Sequence, residues 1–286
     1  MVILPYRRPL IEIEWRILMV ASNLAMSADR HGVEYWRKSD AFEQLDPSEK
    51  GAVSYFLGMT QAQVTCRRRL GIPLLAHLDT LLKLLGTPLV GKRPDFVGVD
   101  FSGVVLPVVV ESKGRTGAVG PKLLTDAKAQ ALAFPHVAGS PAPAVVVSGS
   151  GFRANGTWTA RLHDPPDDRA PDLVVSRNAV IASHYLPLVE AVREAPTKER
   201  REGDWHAALP GIDANFIIPD VAFKALSNYS LGETYSDKTL AEAGATIANS
   251  LASRKAQRGQ RRYVASNGVG LHLGPSWHDL LAAEVH

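Results

Sequence analysis

The chain has 286 residues, 45% hydrophobic and 21% charged, with a formal net charge of +3. That balance excludes a disordered or fibrous protein and leaves enough sequence for one elaborated domain or two modest ones. Its single cysteine, Cys66, excludes an intrachain disulfide, which needs two cysteines, and a thiolate zinc site, which needs several ligands.

Arg7, Arg8, Glu12, Glu14 and Arg16 interrupt the apolar N-terminus, so no signal-peptide core is expected. No uncharged apolar run approaches the roughly 18 residues of a spanning helix. The expected setting is the reducing cytoplasm, away from membranes, with Cys66 a small core residue. Residues 9–20 mix alternation (Ile11, Ile13 and Trp15 against Glu12, Glu14 and Arg16) with an apolar run, which predicts a strand and then a short helix or turn. Residues 28–45 are polar and expected to be rich in loops.

Asp46-Pro47-Ser48-Glu49 reads as a helix start, with Asp46 as cap, Pro47 in the first helical position and Glu49 as the capping-box acid. That helix should run to about Leu70, and a second over 74–85 should stop at Gly86. Residues 94–100 and 104–113 then predict two strands joined by Asp100-Phe101-Ser102-Gly103, a turn composition. A helix follows over 122–134, with Leu123, Ala127, Ala131 and Phe134 on one stripe, then short strands at 144–147 and 158–162. Residues 164–168 read as a linker or exposed loop. Farther on, 183–195 and 237–256 read as helices and 262–274 as a hairpin turning at Asn267-Gly268.

The chemistry concentrates in Glu111-Ser112-Lys113. Strand alternation projects Glu111 and Lys113 to one face. The approach, Val104 to Val110, is almost wholly apolar, so these charges stand at the mouth of a buried strand and need a partner, a metal or water. Asp95 begins the preceding strand, and two carboxylates on neighbouring strands make an oxygen-rich site suited to Mg²⁺. A turn centred on Phe101-Ser102 would set Asp95 opposite Val108, roughly 10 Å along the strand from Glu111. Bringing the acids together requires a register shift, twist or bulge, for which Pro107 is a candidate marker.

Pro94-Asp95, fifteen intervening residues and Glu111-Ser112-Lys113 resemble the signature of the PD-(D/E)xK nuclease superfamily. The resemblance covers about residues 47–163. It implies an α/β fold with a restriction-endonuclease-like core of helix, three-stranded meander, helix and strand, here carrying N- and C-terminal elaborations. The expected division is an extension over 1–46, the nuclease core over 47–165 and a mostly helical region over 166–286.

The resemblance further implies Mg²⁺-dependent hydrolysis of DNA phosphodiesters, with Mn²⁺ as a substitute and with Asp95, Glu111 and Lys113 catalytic. Asp95, Glu111 and the Ser112 carbonyl would hold the metal. Glu49 would be a third acid, unless it only caps its helix. An endonuclease of restriction, phage defence or repair, acting as a homodimer for two-strand cuts, is the reading this favours. A nuclease fold kept for DNA binding or assembly without chemistry is the alternative, and an unrelated α/β enzyme the third.

Candidate DNA contacts are Arg115 in the Gly114-Arg115-Thr116-Gly117 loop, Lys128 and Gln130 beside the stripe of the following helix, and the basic cluster Arg254, Lys255, Arg258, Arg261 and Arg262. For Lys128 and Gln130 a solvent-facing position is the simpler reading. The basic cluster, like Arg67-Arg68-Arg69, fits a solvated helix end as well as a phosphate contact. His163-Asp164 and Asp204-Trp205-His206 hold ligand-type residues without zinc-motif spacing.

Overall fold

The computed structural model describes residues 8–89, 91–132, 144–164 and 175–277. The chain is mixed α/β and divides into two compact units. One comprises Ile17–Asp79 and Pro88–Val175; the other comprises Met1–Arg16, Thr80–Thr87 and Ser176–His286. Among the described residues no helix is long and apolar enough to cross a membrane.

The chain opens with helix α1 (Arg8–Asn23), where a strand was expected. Leu10, Ile13, Ile17 and Val20 recur at helical spacing, and that period prevails over the short alternation of 11–16. Residues 28–45 are more ordered than their polarity suggests. Strands β1 (Leu24–Ala28) and β2 (Glu34–Lys38) form a hairpin, and helix α2 (Asp40–Gln44) is capped by Ser39.

Helix α3 (Pro47–Thr65) begins as expected, with Asp46 accepting from the Ser48 and Glu49 amides and Glu49 accepting from the Asp46 amide. It runs into a π-helical turn, Cys66–Leu70, that Gly71 ends at φ 68°, a backbone angle that favours glycine. The expected helix at 74–85 is instead strand β3 (Leu74–His77) followed by helix α4 (Leu78–Leu84). An apolar run of this length does not separate strand from buried helix by periodicity alone.

Strands β4 (Phe96–Val99) and β5 (Val108–Arg115) precede helix α5 (Pro121–Leu132), then strands β6 (Ala144–Phe152) and β7 (Trp158–His163). The five strands form one sheet in the order β3-β4-β5-β6-β7, parallel between β5 and β6 and antiparallel elsewhere. Alternation along β5 divides its side chains between two cores. Val108 and Val110 pack with Met59 and Ala62 of α3, while Val109 packs with Ala131 of α5.

α3 lies backbone to backbone on β5. A Cβ on Gly58 would stand 2.6 Å from the Gly114 nitrogen, and one on Gly114 would stand 1.7 Å from the Ser54 carbonyl oxygen. Only a glycine pair permits that approach.

The second unit is less helical than expected for 166–286. Helix α6 (Arg177–Glu194) leads to strands β8 (Lys198–Arg201), β9 (Asp204–Leu209) and β10 (Ala214–Pro219), which the sequence reading missed. Helices α7 (Asp220–Leu226) and α8 (Asp237–Leu251) follow, then strands β11 (Gln257–Arg258), β12 (Arg262–Val264) and β13 (Gly270–Leu273). The antiparallel sheet runs β11-β12-β13-β10-β9-β8. β12 and β13 are the expected hairpin, whereas α8 stops at Leu251, short of the expected 256. The end of the expected stripe at Phe134 and most of the 164–168 loop lie outside the described residues.

Candidate active site

The register between β4 and β5 brings the two acids together. Phe96 pairs with Val110, Val97 with Val109 and Gly98 with Val108, so one further step sets Asp95 across from Glu111. The Ser112 amide donates to Asp95 Oδ2 at 2.8 Å. The expected pairing of Asp95 with Val108 is therefore corrected by three residues. The cause is the connection: β5 starts at Val108, so residues 100–107 all belong to the loop. Asp100 folds its first half by accepting from the Ser102 and Gly103 amides. Val104 and Leu106, read as strand because they are apolar, are 84% and 55% exposed.

Glu111 is almost fully buried. Its Oε1 accepts from Lys113 Nζ, and its Oε2 is buried with no hydrogen-bond partner. Burial, reinforced by the Asp95 charge, pushes the Glu111 carboxyl up to about 7. The Lys113 ion pair pulls the other way and is outweighed, and the Asp95 amide adds only a weak lowering. Burial also raises Asp95, against the Ser112 amide and Lys113, which favour its ionised form.

Lys113 Nζ also donates to Gln130 Oε1 at 3.3 Å, and the Gln130 amide nitrogen donates to the Arg93 carbonyl at 3.4 Å. Gln130 therefore faces the acid pair. Asp79 was not anticipated. It binds Arg93 through two contacts of 2.8 and 3.2 Å, and its charge raises Asp95 further. Reading 74–85 as one helix hid Asp79, which stands just past β3.

Other expected site residues are engaged elsewhere. Glu49 is exposed and closes its capping box. Among the described residues no group of three or more His, Cys, Asp or Glu side chains is placed to hold a metal. Lys128, expected to face solvent or phosphate, is buried, with its ammonium on the Val145 carbonyl and 3.3 Å from Asp164. Arg115 is exposed at the end of β5. The basic cluster lies in the other unit. There Arg254 grips the buried Asp204 with contacts of 2.8 and 2.6 Å, Arg262 bonds Gln257, and Arg258 stacks on Tyr263. Lys255 and Arg261 are exposed.

The acid pair fits a hard divalent cation. Both donors are carboxylates, one carboxylate oxygen is buried without a partner, and Lys113 offsets only one of two negative charges. Comparison with family models, curated proteins and solved structures finds no match.

Proposed function

We propose that this chain is a divalent-metal-dependent phosphodiesterase of the PD-(D/E)xK nuclease type, acting on DNA. The observation that carries this is the facing of Asp95 and Glu111 across β4 and β5, with Lys113 bonded to Glu111 on the same face. The element order supports it: apart from helix α4 inserted between β3 and β4, α3, the strands β3-β4-β5, α5 and then β6 parallel to β5 follow the superfamily sequence of helix, three strands, helix and strand.

Asp95, Glu111 and the Ser112 carbonyl would hold Mg²⁺ or Mn²⁺, which supplies an activated water and neutralises charge on the transferring phosphoryl group. Asp95 is oriented by the Ser112 amide. Glu111 is kept from bulk water by burial, so its charge acts in a low-dielectric site. Lys113 presents an ammonium to the developing phosphorane charge, and Gln130 limits where that ammonium sits.

The test is cleavage of single-stranded, duplex and branched DNA with and without Mg²⁺ or Mn²⁺. Metal-dependent cleavage lost in Asp95→Asn and Glu111→Gln is expected; full cleavage by Glu111→Gln sinks the assignment. A second reading, a nuclease fold retained for binding or assembly, is favoured by Glu49, whose engagement in a helix cap leaves two acids rather than three. Salt-dependent DNA binding with no cleavage under either metal would establish it.

A further inference from the structure

We propose that the end of α3 carries a phosphate-binding pocket, formed by Arg68, Arg69, Gln61 and Thr65 against the edge strand β7, on the sheet face opposite Glu111 and Lys113. A cavity of about 500 Å³ opens there. The helical segment lines it with Gln61, Val64, Thr65, Arg68 and Arg69, spaced i, i+3, i+4, i+7 and i+8, a single helix face. β7 contributes Ala160 and Leu162, which pair with Ser150 and Ser148 of β6. Ser148 pairs in turn with Ser112 of β5, whose side chain points away from Glu111 and Lys113.

The π turn contributes to this arrangement. An α-helix sets consecutive side chains about 100° apart. The wider π turn narrows that angle, and Arg68 and Arg69 both border the cavity. Among the described residues no acid lines the cavity and neither arginine has an acidic partner. Two like charges side by side repel, and an anion relieves that repulsion. The helix C-terminus opposes an anion with only about half a negative charge, against two full positive ones.

The chemistry suits phosphate in particular. Guanidinium groups match phosphate oxygens with paired donors. Gln61 is held in place: its Oε1 accepts from Trp158 Nε1 at 3.0 Å and its amide nitrogen donates to Thr65 Oγ1 at 3.1 Å. Val64, Ala160 and Leu162 give the remaining wall an apolar character that suits a sugar or base. The volume is that of a small-ligand site, within roughly 300–1,000 Å³. The ligand class is a phosphate group carried by a nucleotide or by a nucleic-acid strand. This pocket does not depend on hydrolysis at Glu111.

The test is calorimetric titration of the full chain with inorganic pyrophosphate, a nucleoside triphosphate and a short single-stranded oligodeoxynucleotide, in EDTA so that no metal bridges the acid pair. At least one probe should saturate at one site per chain. Arg68→Gln with Arg69→Gln should weaken it by at least about tenfold. Ala160→Glu, which adds a carboxylate at an exposed position and keeps both arginines, should do the same. Saturation by pyrophosphate or the triphosphate identifies a small phosphorylated ligand; saturation by the oligonucleotide alone identifies a strand. No saturable binding of any probe, or unchanged affinity in both variants, overturns the pocket.

Discussion

Asp95 stands across the sheet from Glu111, one step beyond the Phe96–Val110 pair, and accepts a hydrogen bond from the Ser112 amide. Two acids from adjacent strands thus share one small volume with a single lysine. Burial raises the proton affinity of both, the Asp95 charge raises that of Glu111 further, and this gives the site its most direct thermodynamic signature.

Glu111 is held at about 7 against an ordinary 4.5. Between those limits the folded chain binds a proton that the unfolded chain releases. The contribution is therefore complete below about pH 4.5 and is lost as pH rises through about 7, at most about 3 kcal/mol. Asp95, raised in the same direction, adds to the trend. Mg²⁺ should raise the thermal midpoint more at about pH 8 than at about pH 5.5, because the ionised pair binds it. Glu111→Gln should flatten the pH dependence and remove most of the Mg²⁺ effect. An equal Mg²⁺ shift at both pH values would argue against the pair as its site.

Lys113 and Gln130 should separate by magnitude in a cleavage assay. Lys113→Ala removes the ammonium and should cost on the order of 10²-fold in rate. Gln130→Ala only loosens it and should cost roughly tenfold. Equal losses would mean that Gln130 does more than restrain Lys113.

Glu49→Ala tests a cap against a ligand. The capping box predicts a loss of about 1 kcal/mol in denaturant unfolding with the cleavage rate unchanged. A stable protein without cleavage would instead place Glu49 in the metal site.

Gly114→Ala drives a methyl group into the Ser54 carbonyl, 1.7 Å from its ideal position. Because α3 and β5 both carry core residues, the strain cannot relax locally, and a loss of at least about 2 kcal/mol is expected. Gly117→Ala is the control. Its Cβ meets nothing within 4 Å, and its stability should stay within about 0.5 kcal/mol of the unaltered chain. Comparable melting curves for the two variants would refute the close packing.

Arg254→Ala leaves Asp204, 2% exposed, without its bidentate partner. Roughly 3 kcal/mol should be lost, since the buried charge would keep only Arg262, 3.8 Å away. Lys255→Ala and Arg261→Ala, at exposed positions, should be neutral in the same unfolding measurement. A neutral Arg254→Ala would free that arginine for a role outside the fold.

Much of the architecture was legible wherever a segment carries one clear period or stop signal. The start of α3 was readable from Asp46-Pro47-Ser48-Glu49, and α5 from its apolar stripe. Elements failed where apolar content was ambiguous. β3 passed for helix because a strand of four residues, three of them buried, carries too little period. Residues 104–107 passed for strand because exposed and buried valines look alike in a sequence. β8 was missed because Lys198–Arg201 is a wholly exposed edge strand with no apolar pattern, and β9 and β10 because these short, mostly buried runs carry no clear alternation.

The sequence by itself determined that Glu111 and Lys113 share a face, because alternation along one strand is a local property of the backbone. It also determined the Glu49 cap, a contact three residues long. Only the tertiary structure decided that Asp95 meets Glu111, since register depends on loop length and on which apolar residues the two cores accept. Tertiary packing likewise buried Lys128 against Val145 and turned Gln130 toward Lys113, although both extend from one helix. The apolar stripe marked Ala127 and Ala131 as the face of α5 that meets the sheet, but the places of the polar residues beside it were decided by the packed sheet alone.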